Sequence, residues 1–311
     1  MAVREVMNMS DCNWCNIEKL SENVYAIIDK NGGWFLSNSG LIDMGSYTLI
    51  IDTQYNEKRA NDIINVIKNL GLPKPGLILN THHHGDHVWG NHVIGAPAII
   101  HKEANNMIKT LKEIGSSIYE AFFPQLDFKG SKYTLPDIVI GDDGIVIESK
   151  YGPINVKYLG PAHTVGDLIA IVDHANTIFA GDIIFNQVTP LALDGTVLNW
   201  IKVLDKLEGI SKGKKIVGGH GEVTDEKVIK LMKDYLIHIA NGTKESLSNG
   251  ISDPLIIAKS IGPGPLKGWS LEERIVFNVA RAILDFQGKP PGEMVTNLPE
   301  LATKMAKYPL K

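Results

Sequence analysis

The chain has few cysteines, almost no net charge and no long apolar run. Its only cysteines, Cys12 and Cys15, form one C-x-x-C. No second such pair follows to complete a zinc site, and the surroundings do not read as a redox βαβ unit. Surface thiols without a special role are therefore expected. Thirty-one Lys and Arg face 35 Asp and Glu, a formal charge of −4. That balance offers no broad basic field, so nucleic acid is not expected as a partner. No segment approaches the roughly 20 uninterrupted apolar residues of a bilayer span, so neither is a membrane. The first residues lack the apolar stretch of a secretory signal, and the expected location is cytoplasmic. No internal repeat or low-complexity tract is present. What remains is 311 residues, 44% hydrophobic and 21% charged, enough for one large core with an appendage or for two modest domains.

Over the first 220 residues strand-like and helix-like segments alternate. "VYAIID", "SGLIDM" and "YTLIIDT" read as successive strands. Ala60, Ile63, Ile64, Ile67 and Leu70 recur at helical spacing over Asn56 to Leu70, with Gly71 as a stop. "GLILN" (76–80) reads as a short buried strand, and 102–114 as a helix ended by Gly115. "INVKYLG" (154–160), "LIAIVD", "TIFAGD" and "KKIVGGH" read as further strands, with a helix marked by Val197, Trp200, Ile201, Leu204 and Leu207. The class is α/β or mixed α+β. After about residue 224 the strands stop. Ile229, Met232, Leu236 and Ile239 mark a long helix, and "SLEE" (270–273) predicts a capping box, Ser270 as N-cap and Glu273 three residues on, opening a helix that closes near Gly288. The division is thus 1–224 as a catalytic domain and 225–311 as a helical appendage, expected to cover one side of the site or to form a homodimer contact.

The densest signal is "THHHGDH" (81–87), four of the ten histidines within seven positions. Imidazole is costly to bury unpartnered, and protonated neighbours repel; a metal ion explains the crowding. Side chains two apart on an extended segment face the same way. His82 and His84 can therefore grip one ion, the turn at Gly85 offers Asp86 and His87 to another, and His83 points away. Three later segments repeat the grammar of a strand followed by a ligand: His163 after "VKYLGPA", Asp182 after "TIFAG", His220 after "KKIVGG". Five imidazoles and two carboxylates suit two ions, His82, His84 and His163 on one, Asp86, His87 and His220 on the other, with Asp182 bridging. His92, His101, His174 and His238 fit no such scheme.

H-x-H-x-D-H followed by a distant His, Asp and His resembles the signature of the metallo-β-lactamase fold hydrolases. "IIDTQ", "THHHGDH", "PAHTVGD", "AGDIIF" and "GGHG" resemble its five motifs over about residues 20–222. The resemblance implies a four-layer αββα sandwich with the metals at one edge, and Asp52 as a carboxylate that supports the ligands. One branch carries Cys where Asp182 stands, and a diiron oxygen-reducing branch carries Glu where His84 stands; the resemblance disfavours both. "NTHHHGDH" is similar to glyoxalase II and its relatives, which usually continue with Gly-Gly-Asn where this chain has "VWGN". "GPAHTVGD" and "TPLALDGTVLNW" are more similar to stand-alone prokaryotic hydrolases.

The chemistry so implied is hydrolysis by a metal-bridging hydroxide, with two divalent ions, zinc before iron or manganese, lowering the pKa of water to about 7. Asp86 is expected to hold the hydroxide and pass on its proton. Loops at 32–38, 88–91, 122–128 and 185–190 are rich in aromatic and apolar groups, so an ester, thioester or lactone suits the pocket better than a polyanion. The alternatives are a phosphodiesterase, a β-lactamase, and a mononuclear iron oxidoreductase of the persulfide dioxygenase kind.

Overall fold

A computed structural model describes residues 5–7, 12–113, 116–293 and 298–308. Two sheets lie face to face. The first has eight strands in chain order: β1 (Glu5–Met7), β2 (Cys15–Ser21), β3 (Val24–Asp29), β4 (Ser39–Asp43), β5 (Thr48–Ile51), β6 (Pro75–Leu79), β7 (Ala98–His101) and β8 (Ile138–Ile140). It is antiparallel through β5 and parallel from β5 to β8. The second runs β13-β12-β11-β10-β9, with β9 (Ile145–Ile147), β10 (Ile154–Tyr158), β11 (Leu168–Val172), β12 (Thr177–Phe185) and β13 (Lys215–His220); only β12 and β13 are parallel.

Alternation along the strands builds the layers, because residues two apart share a face. Ala26, Ile42, Leu49 and Ile51 of the first sheet meet Val156, Leu168, Ala170 and Phe179 of the second in a core between the sheets. The opposite face of the first sheet, through Ile17, Ile27, Leu41 and Ile50, packs on Ala60, Ile63, Val66 and Ile67 of α1 (Glu57–Asn69). Asn56 caps α1 by accepting from the Arg59 amide, the side-chain-to-backbone bond that makes Asn a good helix start. The outer face of the second sheet, through Ile169, Ile171 and Ile178, shares one core with Trp200, Leu204 and Leu207 of α6 (Val197–Ser211), Ile229, Met232 and Leu236 of α7 (Lys227–Ser248), Ile257 of α8 (Pro254–Ile261), Ile275 and Val279 of α9 (Ile275–Phe286) and Leu301 of α10 (Leu298–Met305). The order is helix, sheet, sheet, helix: the αββα sandwich, with the C-terminal helices on its outer layer.

Among the described residues four helices lie between β6 and β8: α2 (Gly85–Val88) and α3 (Asn91–Ile94) before β7, and α4 (Lys102–Leu111) and α5 (Ser117–Phe122) after it. The expected stop at Gly115 lies outside the described residues. Two expectations are corrected. Ser270 caps nothing: its hydroxyl and amide both bond the Gln187 carbonyl, Leu271 takes a left-handed φ of 59°, and a 3₁₀ turn over Glu272–Arg274 enters α9 with Arg274 at its N-cap. Strand-like pairing of 270 with 187–189 outweighs the local capping pattern. Cys12 and Cys15 are buried against the α1 layer and joined as a disulfide, because β2 turns the segment inward. Among the described residues no helix is long and apolar enough to cross a membrane.

Candidate metal centre

All seven expected ligands converge at one rim of the sandwich. His82 lies in the bend after β6, His84 is the N-cap residue of α2, and Asp86 and His87 are on that helix. The second sheet supplies the rest: His163 from the loop after β10, Asp182 from inside β12 and His220 at the tip of β13. Ligand atoms of His82, His84 and His163 lie within 4.8 Å of one another, as do those of Asp86, His87 and His220, and those of His82, His87 and Asp182. The Asp182 carboxylate reaches both groups, with Oδ1 3.3 Å from His87 Nε2 and Oδ2 3.3 Å from His163 Nε2 and 3.4 Å from His220 Nε2.

Local sequence explains the convergence. β12 does not end before Asp182 but continues to Phe185 through a break in register at Gly181, where φ is +51°. A Cβ on Gly181 would stand 2.6 Å from Thr81, and one on Gly219 would stand 1.7 Å from Asp182 Oδ1. Only glycine lets the two sheets' tips come this close. Gly85 likewise lies over the ring of Trp89, 2.3 Å from where its Cβ would be.

Each histidine has one nitrogen tied to an acceptor, and the ties fix the tautomers. His163 Nδ1 donates to the Leu191 carbonyl (2.7 Å) and His220 Nδ1 to the Leu36 carbonyl (3.1 Å). His87 Nδ1 donates to Asp52 Oδ2 (2.7 Å), and His84 Nε2 to Asp194 Oδ1 (3.2 Å). Thr81 gives its hydroxyl proton to Asp52 Oδ2 (2.7 Å), so it accepts from His82 Nδ1 (3.0 Å). The five remaining nitrogens are lone pairs pointing at one another and at carboxylates: His84 Nδ1 and His163 Nε2 are 2.9 Å apart, and His220 Nε2 is 3.3 Å from Asp86 Oδ2. His82 Nε2, His87 Nε2 and Asp182 Oδ1 are buried with no hydrogen-bond partner. Electron pairs in such contact repel unless cations sit between them, so the donor set fits metal ions. Protons satisfy only part of the set: the carboxylates outweigh burial at His84 and His87 and raise both, but not at the other two imidazoles of the first trio. Burial pushes His163 down to about 3 and lowers His82 well below its ordinary value. For His220 burial also lowers the pKa, but the Asp182 and Asp86 carboxylates outweigh it and hold it at about 8.

Asp52 adopts a left-handed φ of 58°, turning its carboxylate back onto the Thr81 amide (2.8 Å). Sequence reasoning missed Asp194, which accepts from His84 and stands with Oδ2 2.9 Å from His83 Nε2. His83 is fully buried and belongs to none of the three trios above, but with His84 and Asp194 it forms a fourth group of potential ligand atoms. The reasoning also missed how the 189–194 loop is held. Asn278 of α9 accepts from the Ala192 amide (2.7 Å) and donates to the Pro190 carbonyl (2.9 Å) and Tyr235 hydroxyl (2.7 Å). A cleft of about 90 Å³ opens over the cluster, walled by Trp34, Phe123, Phe185, Leu191, Leu193 and Arg274 among others. Of the expected wall segments, 32–38, 122–128 and 185–190 contribute, whereas Trp89 from 88–91 is fully buried below. His92, His101, His174 and His238 stand in none of the ligand groups.

The sequence pattern of the Metallo-beta-lactamase superfamily matches residues 32–220, which contain every one of these ligands. The chain belongs to this superfamily. Within it, a hydroxyacylglutathione hydrolase of Pelagibacter ubique is 30% identical over 146 residues, 46% of this chain and 50% of that one. The chain thus spans only half the length of that relative. A protein of Methanocaldococcus jannaschii named "Probable metallo-hydrolase" is 27% identical over 221 residues, 68% of this chain and all of that one. Among solved structures, a metallo-beta-lactamase from Pontibacter korlensis superposes with a TM-score of 0.53 at 17% identity, over 76% of this chain and 99% of its own; at that identity the likeness is one of fold.

Proposed function

We propose that this superfamily member is a dinuclear metal-dependent hydrolase acting on the carbonyl of an ester, thioester or lactone, with a catalytic unit at 1–224 walled on one side by the helices of 225–311. The observation that carries the reading is the set of five inward-facing imidazole nitrogens and two carboxylates crowded together, with His82 Nε2, His87 Nε2 and Asp182 Oδ1 buried and without a hydrogen-bond partner. His82, His84 and His163 would hold one ion, Asp86, His87 and His220 the other, and Asp182 would span both. Two divalent ions, zinc first, supply hydroxide at neutral pH and polarise an acyl oxygen. The chain's own groups do the remainder. Asp86 is among the cleft-lining residues, and its carboxylate would accept the proton shed by the attacking water. Asp52, Asp194 and the Leu191 and Leu36 carbonyls keep the imidazoles in the tautomer that binds metal. Trp34, Phe123, Leu191 and Leu193 bind the apolar part of a small-molecule substrate and exclude water. About 90 Å³ holds only a few waters, so the reacting end enters and the rest of the substrate lies along the opening. The name of the Pelagibacter relative supports acyl hydrolysis.

Purified protein tests this by metal analysis and turnover of a panel of lactones, thioesters, β-lactams and phosphodiesters. Two zinc per chain and hydrolysis of a carbonyl substrate, abolished in Asp182→Ala and His84→Ala, are expected. One iron per chain with oxygen consumption, or preferential phosphodiester cleavage, overturns the reading.

A further inference from the structure

The described part of the chain buries three arginines. Two are paired with carboxylates: Arg59 with Asp29 at 2.6 Å and Arg281 with Asp285 at 2.8 Å. The third, Arg274, is 2% exposed and lines the metal cleft. Its hydrogen bond is from Nη1 to the Thr189 carbonyl at 3.0 Å, and its buried Nε has no acceptor. The guanidinium stacks 4.4 Å over the ring of Trp34, another wall of the same cleft. It is placed there by the pairing of Ser270 with Gln187 and Thr189 and by the left-handed Leu271. A structural arginine with such burial would carry a counter-ion, because an uncompensated buried charge is strongly unfavourable. The nearest compensation is the field of Asp182 and Asp86, the carboxylates that metal ions would neutralise. Although burial lowers its pKa to about 10, the group stays cationic at neutral pH. Once the centre is loaded, the one other carboxylate whose field reaches the guanidinium is Glu273, which makes no ion pair with it among the described residues, so the cleft keeps a positive charge without a contacting counter-ion.

We propose that Arg274 is a specificity-determining residue that binds a carboxylate carried on the acyl portion of the substrate. The class is a half-ester or half-thioester of a dicarboxylic acid. This rests on the hydrolase reading above and narrows it: the substrate is a monoanion with an apolar stem, not a neutral molecule. With Nη1 held by Thr189, the Nε–Nη2 edge remains, and that planar edge takes a carboxylate through two parallel hydrogen bonds. Stacking on Trp34 keeps the plane fixed, so the fork is formed before the substrate arrives.

Calorimetry on the zinc-loaded protein tests this without turnover, using succinate, glutarate and adipate against the monoamide of each. Diacid and monoamide share one carboxylate for the metals and differ in the second. For at least one chain length the wild type should bind the diacid about tenfold or more tighter than the monoamide. Arg274→Met should reduce that preference to within about twofold, and Arg274→Lys should keep the charge but lose most of the fork's advantage. Equal binding of diacid and monoamide by the wild type overturns the proposal without any variant. Equal weakening of both ligands in Arg274→Met also overturns it, by showing a structural role. Parallel turnover of monophenyl succinate and its methyl-capped ester separates the two readings. Diacid preference without hydrolysis sinks the hydrolase reading and leaves the subsite, and hydrolysis without carboxylate preference does the reverse.

Discussion

Asn278→Ala removes a side chain that is fully buried and contacts no candidate ligand. It strands three buried groups: the Ala192 amide, the Pro190 carbonyl and the Tyr235 hydroxyl. Each buried polar group left without a partner costs about 1–3 kcal/mol, and partial relaxation brings the expected loss to roughly 3–5 kcal/mol. The consequence for the metal is separate. Leu191, whose carbonyl orients His163, lies between the two anchored residues, and Asp194, which orients His84, lies two residues beyond them. Loss of an outer partner of a ligating histidine typically weakens metal binding 10–100-fold, or about 1.4–2.7 kcal/mol. Urea denaturation of the metal-free protein reads the first effect, and zinc competition against a chromophoric chelator reads the second. Tyr235→Phe is the control: it removes one bond on the side away from the loop, so it should cost about 1 kcal/mol and leave zinc affinity unchanged. If Asn278→Ala destabilises as expected yet binds zinc like the wild type, the helix does not hold the ligands through this loop.

Three further outcomes are expected. Asp52→Asn keeps the shape but weakens the acceptor for both Thr81 and His87, so zinc affinity should fall roughly 10–100-fold with little change in secondary structure. Gly219→Ala puts a methyl 1.7 Å from Asp182 Oδ1, and metal content by elemental analysis should drop below the wild-type ratio. Burial raises the Asp167 pKa to about 6 against the hydrogen bonds from Thr164, so the folded state holds this proton more tightly than the unfolded one. Its contribution is full below about pH 4 and is lost as pH rises towards 6. At 1.36 kcal/mol per tenfold change in proton affinity that is roughly 3 kcal/mol, and Asp167→Asn should remove that slope from the metal-free stability profile.

The parts of the fold legible in the sequence were those with one dominant period. β3, β5, β6, β11 and β13 are short β-branched runs ending at Gly, Asn or Asp, and α1 shows its buried stripe at every turn. β7, β8 and β9 were not read, being three or four residues long with no alternation to count. The seven clustered residues were legible because metal chemistry needs those residue types on or just after separated strands. Asp194, Asn278 and Arg274 were not. A carboxylate one shell out, an amide bracing a loop and an arginine without a partner have no spacing rule, and their roles exist only once 80 or more residues of chain have been folded between partners. The cysteines misled for a related reason: exposure was inferred from the absence of a motif, whereas burial was decided by the pairing of β2.

Four of the candidate ligands hang from one sheet and three from the other, across a seam where glycine keeps the two edges nearly touching. A cation pair held at that seam, as proposed, would act as a rivet through two plates. Prying the plates apart at this rim and letting the ions go would then be a single event, so retention of metal and rigidity of the mouth should rise and fall together across variants. Amide exchange at the tips of β6 and β13, slow with zinc and fast after chelation, would be the signature of that joint.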